Sequence, residues 1–175
     1  MNVIEKYKTA LGLFDLKFHV DVVEVDMDSE YVDMGRMFSF SDPFKSIEGE
    51  WSLKGELYFN PFHETEWQTP RALYRYKPFF DAYEFEYTPE NVDSFVVLHE
   101  IGHLVLNEIL LKNKLYDRAF QLNGNMIDVL EPHHFDEDGE GPYMPLVLSA
   151  MEQWCDNFAM INFKRLYVAL GKESV

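Results

Sequence analysis

Near the start of the chain, Ile4, Tyr7 and Leu11 recur at three- and four-residue intervals, the spacing at which side chains share one face of a helix. Gly12 follows as a stop, so a helix is expected over residues 2–11. The period then changes. Segment 16–26, Leu-Lys-Phe-His-Val-Asp-Val-Val-Glu-Val-Asp, largely alternates apolar with polar and is rich in valine, which predicts a half-buried strand. Segments 31–40 and 51–59 are further strand candidates, closed by Ser41-Asp42-Pro43 and Asn60-Pro61. Short strands that follow one another closely favour antiparallel pairing. Residues 61–88 are aromatic, interrupted by prolines, and carry no clear period.

The helical period returns at Thr88. A threonine can cap a helix, proline suits its first position, and Glu90 suits the positive end of its dipole. Val92, Phe95, Val96, His99 and His103 then fall on one face of a helix running to about residue 112. Residues 115–144 are broken by Gly124, Pro132, Gly139, Gly141 and Pro142 and carry the acidic run Asp136 to Glu140. A second long helix is expected from near Pro145 to Gly171, with Leu148, Met151, Cys155, Phe158 and Ala159 on its apolar face. The expected fold is α+β, with an N-terminal helix, a small and mostly antiparallel sheet, and two long helices. With no repeat or linker, one domain over 1–175 is expected.

Composition narrows the function classes. In 175 residues, 47% are hydrophobic and 16% aromatic, too apolar for disorder even at a net charge of -16. Asp and Glu total 31 against 15 Lys and Arg, and there is no basic stripe to displace counterions from phosphates. Direct nucleic-acid binding is therefore not expected. The acidity suits solubility, a basic partner, or a mimic of nucleic acid. Cys155 is the one cysteine, which excludes an intramolecular disulfide and a Cys-based zinc knuckle. No stretch has signal-peptide or membrane-span length and apolarity, so the expected location is cytoplasmic, away from a membrane.

The chemistry lies in His99-Glu100-Ile101-Gly102-His103, which fits the H-E-x-x-H pattern. Residues four apart on a helix lie one turn above each other, so both imidazoles can reach one ion. Glu100 is placed to act as general base on the attacking water and then to pass the proton to the leaving amine. A catalytic zinc needs a third protein ligand and an open position. Glu152 on the second long helix is the candidate ligand. Asp156, four residues on, would accept the second ring N–H of a zinc histidine and set its tautomer. One zinc per chain is expected.

His99-Glu100-Ile101-Gly102-His103-Leu104, followed by Glu152-Gln153-Trp154-Cys155-Asp156-Asn157-Phe158-Ala159, resembles the ImmA/IrrE-type metallopeptidases. Those proteins pair an H-E-x-G-H helix with a downstream E-x-x-A-[N/D]-x-F-A helix. Cys155 stands where the family carries alanine, and the segment between the helices is longer than usual. The resemblance implies a gluzincin-like peptidase core, cytoplasmic in bacteria or phage. Its characterised relatives cut transcriptional repressors at a specific site. Such a protein substrate would be a basic DNA-binding repressor, which the acidic chain could attract. The chain shows no basic helix-turn-helix stretch, so that regulator would be a separate chain.

Two other classes remain open. One is a metal-stabilised acidic binding module that sequesters a basic regulator without cutting it. The other is a nucleic-acid mimic. His133, His134 and Tyr143 are unresolved candidates for stabilising an oxyanion, whereas His19 and His63 read as structural. Cys155 reads as an inert buried thiol, the run 136–140 as a solvated loop, and segment 51–60 as a possible edge strand for an extended substrate.

Overall fold

The computed structural model describes residues 3–25, 36–40, 44–45, 51–52, 55–59, 67–113 and 150–172. Their elements in chain order are α1 (Val3–Leu11), β1 (Val20–Glu24), β2 (Arg36–Phe40), β3 (Phe44–Lys45), β4 (Trp51–Ser52), β5 (Gly55–Phe59), α2 (Pro70–Arg75), α3 (Lys77–Ala82), α4 (Pro89–Lys112) and α5 (Ala150–Ala169). Helices and strands occupy separate stretches, as in an α+β fold.

The larger sheet is mixed, which corrects the mostly antiparallel expectation. Its order is β1-β5-β2. β1 runs parallel to β5 with Val20 opposite Gly55 and Glu24 opposite Phe59, while β2 runs antiparallel to β5 with Arg36 opposite Phe59. β3 and β4 form a separate two-stranded antiparallel pair. Short connections favour pairing between sequence neighbours, but here β5 inserts between β1 and β2 and takes the most protected place. Its burial alternates along the strand, and Leu57 is fully enclosed. Because β5 is central, its backbone is already bonded on both sides. β5 itself offers no edge to a substrate, which confines the edge-strand reading of segment 51–60 to Trp51–Ser52 in the separate pair.

α4 crosses the sheet at Gly55. A Cβ on Gly55 would come within 2.9 Å of Leu104 Cδ2 and 3.0 Å of Phe18 Cε2, so the missing side chain lets helix and sheet touch. The core is built around α4. Val92, Phe95, Val97, Leu98, Ile101 and Leu104 are fully buried, and Leu57, Phe80, Phe163 and Leu166 pack into the same cluster. A helix apolar on most of its faces belongs in an interior rather than on a surface. Phe80 holds three sides together at once, with ring centroids 5.4 Å from Tyr87, 5.8 Å from Phe95 and 5.3 Å from Phe163. α1 is tied to α4 by a buried ion pair, Lys6 Nζ to Asp93 Oδ2 at 2.6 Å.

The helix ends follow local chemistry. Thr88 Oγ1 accepts from the Asn91 backbone N–H at 3.2 Å, so α4 starts where the Thr88-Pro89 pair places it. α5 closes at Gly171 with φ 74°, where Lys172 N–H donates to the Tyr167 carbonyl and Gly171 N–H to that of Val168. That pattern is a Schellman motif. The proline-rich stretch resolves into two short helices. Thr69 Oγ1 caps α2 by accepting from Ala72 N–H at 3.2 Å, with Pro70 at its start, and Pro78 opens α3. No described helix is long and apolar enough to cross a membrane.

Candidate metal centre

α4 and α5 pack against each other along the faces that carry the motif residues. Gly102 governs how closely they approach. A Cβ there would lie 3.3 Å from Cys155 Cα, 3.4 Å from Cys155 Cβ and 3.1 Å from Phe158 Cδ1. Glycine at this point removes a side chain that would press on α5. His99 and His103 on α4 therefore meet Glu152 and Asp156 on α5, and all four are buried.

His99 Nε2 lies 3.1 Å from His103 Nε2. Glu152 closes the triangle, with Oε1 3.2 Å from His103 Nε2 and Oε2 3.4 Å from His99 Nε2. These separations suit a small cation. Ligands about 2.0–2.1 Å from a tetrahedral ion stand about 3.3 Å from one another. The donor set of two imidazoles and a carboxylate could thus hold a metal ion.

Asp156 lies behind His99, with Oδ1 2.8 Å from Nδ1. A carboxylate there favours the tautomer protonated at Nδ1, which leaves Nε2 facing the shared point. Burial opposes a charge on His99, but Asp156 and Glu152 outweigh it, and the pKa is pushed up to about 9. Burial alone would raise the Glu152 carboxyl. Its hydrogen bonds with His103 and His99 hold it well below the usual carboxylate range instead. Glu100 is raised because burial disfavours its charge, although both imidazoles and Arg75 pull the other way. Burial, with the surrounding carboxylates, pushes the Cys155 thiol up, as expected of an unreactive cysteine.

Of the site residues expected from the sequence, His99, His103, Glu152 and Asp156 meet in one cluster, and Glu100 is near enough to interact with the charges of its members. Arg75, which no motif singled out, joins them from the last turn of α2. Its Nε donates to Asp156 Oδ2 at 2.9 Å, and its Nη2 donates to Asp156 Oδ1 at 3.0 Å and to Glu152 Oε2 at 2.7 Å. The Arg75 side chain is only 7% exposed, so these are buried, charge-assisted bonds. The signal that could have located its helix was Thr69-Pro70, the same cap-and-proline pair read correctly at Thr88-Pro89.

No family model matches the chain, and no curated protein or solved structure matches it. The chemistry of the site therefore rests on its own residues. His63, His133, His134 and Tyr143, the acidic run 136–140 and Leu148 lie outside the described residues. His19 stands just before β1, exposed, with Nε2 2.8 Å from Asp21 Oδ1, so it has a surface position and not a core one.

Proposed function

We propose that this chain is a zinc-dependent metallopeptidase of the ImmA/IrrE type, making a site-specific cut in a protein substrate. The observation that carries this reading is the triangle of His99 Nε2, His103 Nε2 and the Glu152 carboxylate, at 3.1, 3.2 and 3.4 Å, with Glu100 adjoining it in sequence. Three protein ligands, those found among the described residues, would leave one position of a tetrahedral site open, which distinguishes a catalytic zinc from a structural one.

A bound zinc ion would polarise the scissile carbonyl and lower the pKa of water at the open position toward about 7. Glu100 takes the proton from that water and later delivers it to the leaving nitrogen. Burial supports this role, because a carboxylate whose pKa is raised is a stronger base than one free in water. Asp156 keeps His99 oriented through Nδ1, and burial of the cluster strengthens each electrostatic contact by excluding water.

The substrate we favour is a basic DNA-binding repressor, drawn by the net charge of -16. That same charge favours a second reading, in which the chain sequesters a basic regulator without cutting it. Elemental analysis of purified wild type, His103→Ala and Glu100→Gln tests the centre. About one zinc per chain, lost in His103→Ala and kept in Glu100→Gln, is expected. Absence of metal in wild type, with no uptake on adding zinc, would sink the peptidase reading. If Glu100→Gln keeps the full biological effect, binding is the function.

A further inference from the structure

We infer that Arg75 is a positioning residue of the metal centre: it holds Oε2 of Glu152, so that the carboxylate offers the ion the single oxygen Oε1 and a position stays open for water. The inference rests on the metallopeptidase reading and deepens it.

A glutamate can bind a metal through one oxygen or both. Binding through both would occupy the position that a catalytic site must keep for water or substrate. In this cluster the two oxygens have different surroundings. Oε2 accepts the Arg75 Nη2 donor at 2.7 Å, a short bond between a buried cation and an anion. Both oxygens face the donor triangle, Oε1 at 3.2 Å from His103 Nε2 and Oε2 at 3.4 Å from His99 Nε2, and Oε2 is the one that the guanidinium also holds. An oxygen already engaged by a guanidinium is the weaker ligand, so the ion is directed to Oε1.

The fork of the guanidinium makes the arrangement specific. Nε and Nη2 span both oxygens of Asp156, and the same Nη2 reaches across to Glu152. One rigid plane thus fixes both the ligand and the carboxylate that orients His99. A lysine ammonium could supply the charge but not this geometry. Charge points the same way. With neutral imidazoles, the carboxylates of Glu100, Glu152 and Asp156 against the Arg75 guanidinium leave two negative charges, which one divalent cation neutralises. The Tyr76 ring, 5.3 Å from the guanidinium carbon, adds a further contact that holds the fork in place.

The test uses the full-length chain loaded with cobalt(II), whose visible absorption reports coordination number. Wild type, Arg75→Met and Arg75→Lys are compared, with zinc affinity measured by competition against a coloured chelator and folding followed by circular dichroism. Wild type is expected to give the intense bands of a four-coordinate site. Arg75→Met should give the weaker bands of a five-coordinate site and bind zinc about 10- to 100-fold more weakly. Arg75→Lys should restore neither. Folded Arg75→Met with wild-type bands and affinity within twofold overturns the inference and leaves the metal centre standing. Wild type that takes up no cobalt or zinc overturns both. If the Arg75 variants do not fold, a crystal structure of the zinc-loaded wild type decides. Zinc on Oε1 with Arg75 on Oε2 supports the inference, and zinc on both oxygens or on Oε2 alone overturns it.

Discussion

Replacing Gly102 with alanine sets two effects against each other that the structure allows to be weighed. Glycine inside a helix is less favourable than alanine by about 0.8–1.0 kcal/mol, so the substitution should stabilise α4 if nothing else changes. The new Cβ would, however, stand 3.1 Å from Phe158 Cδ1, 3.3 Å from Cys155 Cα and 3.4 Å from Cys155 Cβ. Phe158 is half-buried and can rotate slightly, though it stacks on Trp154 at 5.3 Å and meets Phe14 at 5.0 Å. Cys155 Cα is backbone and cannot turn aside, so α5 must move outward by a few tenths of an ångström. Overpacking of this kind costs about 1–3 kcal/mol. The net effect on stability should be a loss of about 0–2 kcal/mol.

The metal centre should suffer more than the fold. The contacts of 3.2 and 3.4 Å between the imidazoles and Glu152 cross the α4–α5 interface that Gly102 allows to close. A shift that barely strains the core opens those contacts directly. Zinc affinity should fall about tenfold, equivalent to ~1.4 kcal/mol of binding energy. Urea unfolding in the presence of chelator measures the first quantity, and competition titration with zinc measures the second. If Gly102→Ala is more stable by about 1 kcal/mol and binds zinc within twofold of wild type, the close-approach reasoning is wrong.

Further outcomes follow from the same contacts. In the metal-free protein, the raised pKa of His99 contributes stability fully present below its ordinary value of 6.5 and lost as pH rises through about 9. Zinc must displace that proton, so zinc affinity should strengthen about tenfold per pH unit over the same interval, the opposite trend; calorimetry at several pH values, with buffers of different ionisation enthalpy, would expose the released proton. Asp156→Asn should bind zinc about 10- to 100-fold more weakly, because it replaces the carboxylate facing His99 Nδ1 and one anion of the Arg75 fork; unchanged affinity in a folded variant would remove Asp156 from the site. Lys6→Met should lower stability by about 3–5 kcal/mol in urea unfolding, since it takes the cation from the buried pair with Asp93. That variant should leave zinc stoichiometry unchanged, because the pair lies outside the metal cluster.

The sequence and the structure agree most closely where the controlling interactions are local. The four-residue spacing of His99 and His103, and that of Glu152 and Asp156, places each pair one turn apart on any helix. Thr88-Pro89 and Gly171 mark helix ends through bonds made within five residues, and both act as their residue types dictate. Segments 16–26, 31–40 and 51–59 each contain a described strand, though shorter than the apolar pattern: Val20–Glu24, Arg36–Phe40, and the pair Trp51–Ser52 and Gly55–Phe59. Alternation shows that a segment can be half-buried but does not mark where pairing stops.

Tertiary structure alone decided the strand order and the surroundings of the cluster. Alternation in β1, β2 and β5 is compatible with either strand direction, because pairing depends on which neighbour covers the most apolar surface. In the folded chain β5 inserts between β1 and β2, parallel to one and antiparallel to the other, with Gly55 against Leu104 of α4. Arg75 is the clearest case. It lies 77 residues from Glu152 and 81 from Asp156, in a stretch with no readable period. By itself, the sequence determined α1, the two long helices, the ends marked by Thr88 and Gly171, and the side chains on those helices that could hold a metal ion. The folded chain decided which helices meet, how closely Gly102 lets them approach, and which cation holds the carboxylates, since those depend on contacts between residues remote in sequence.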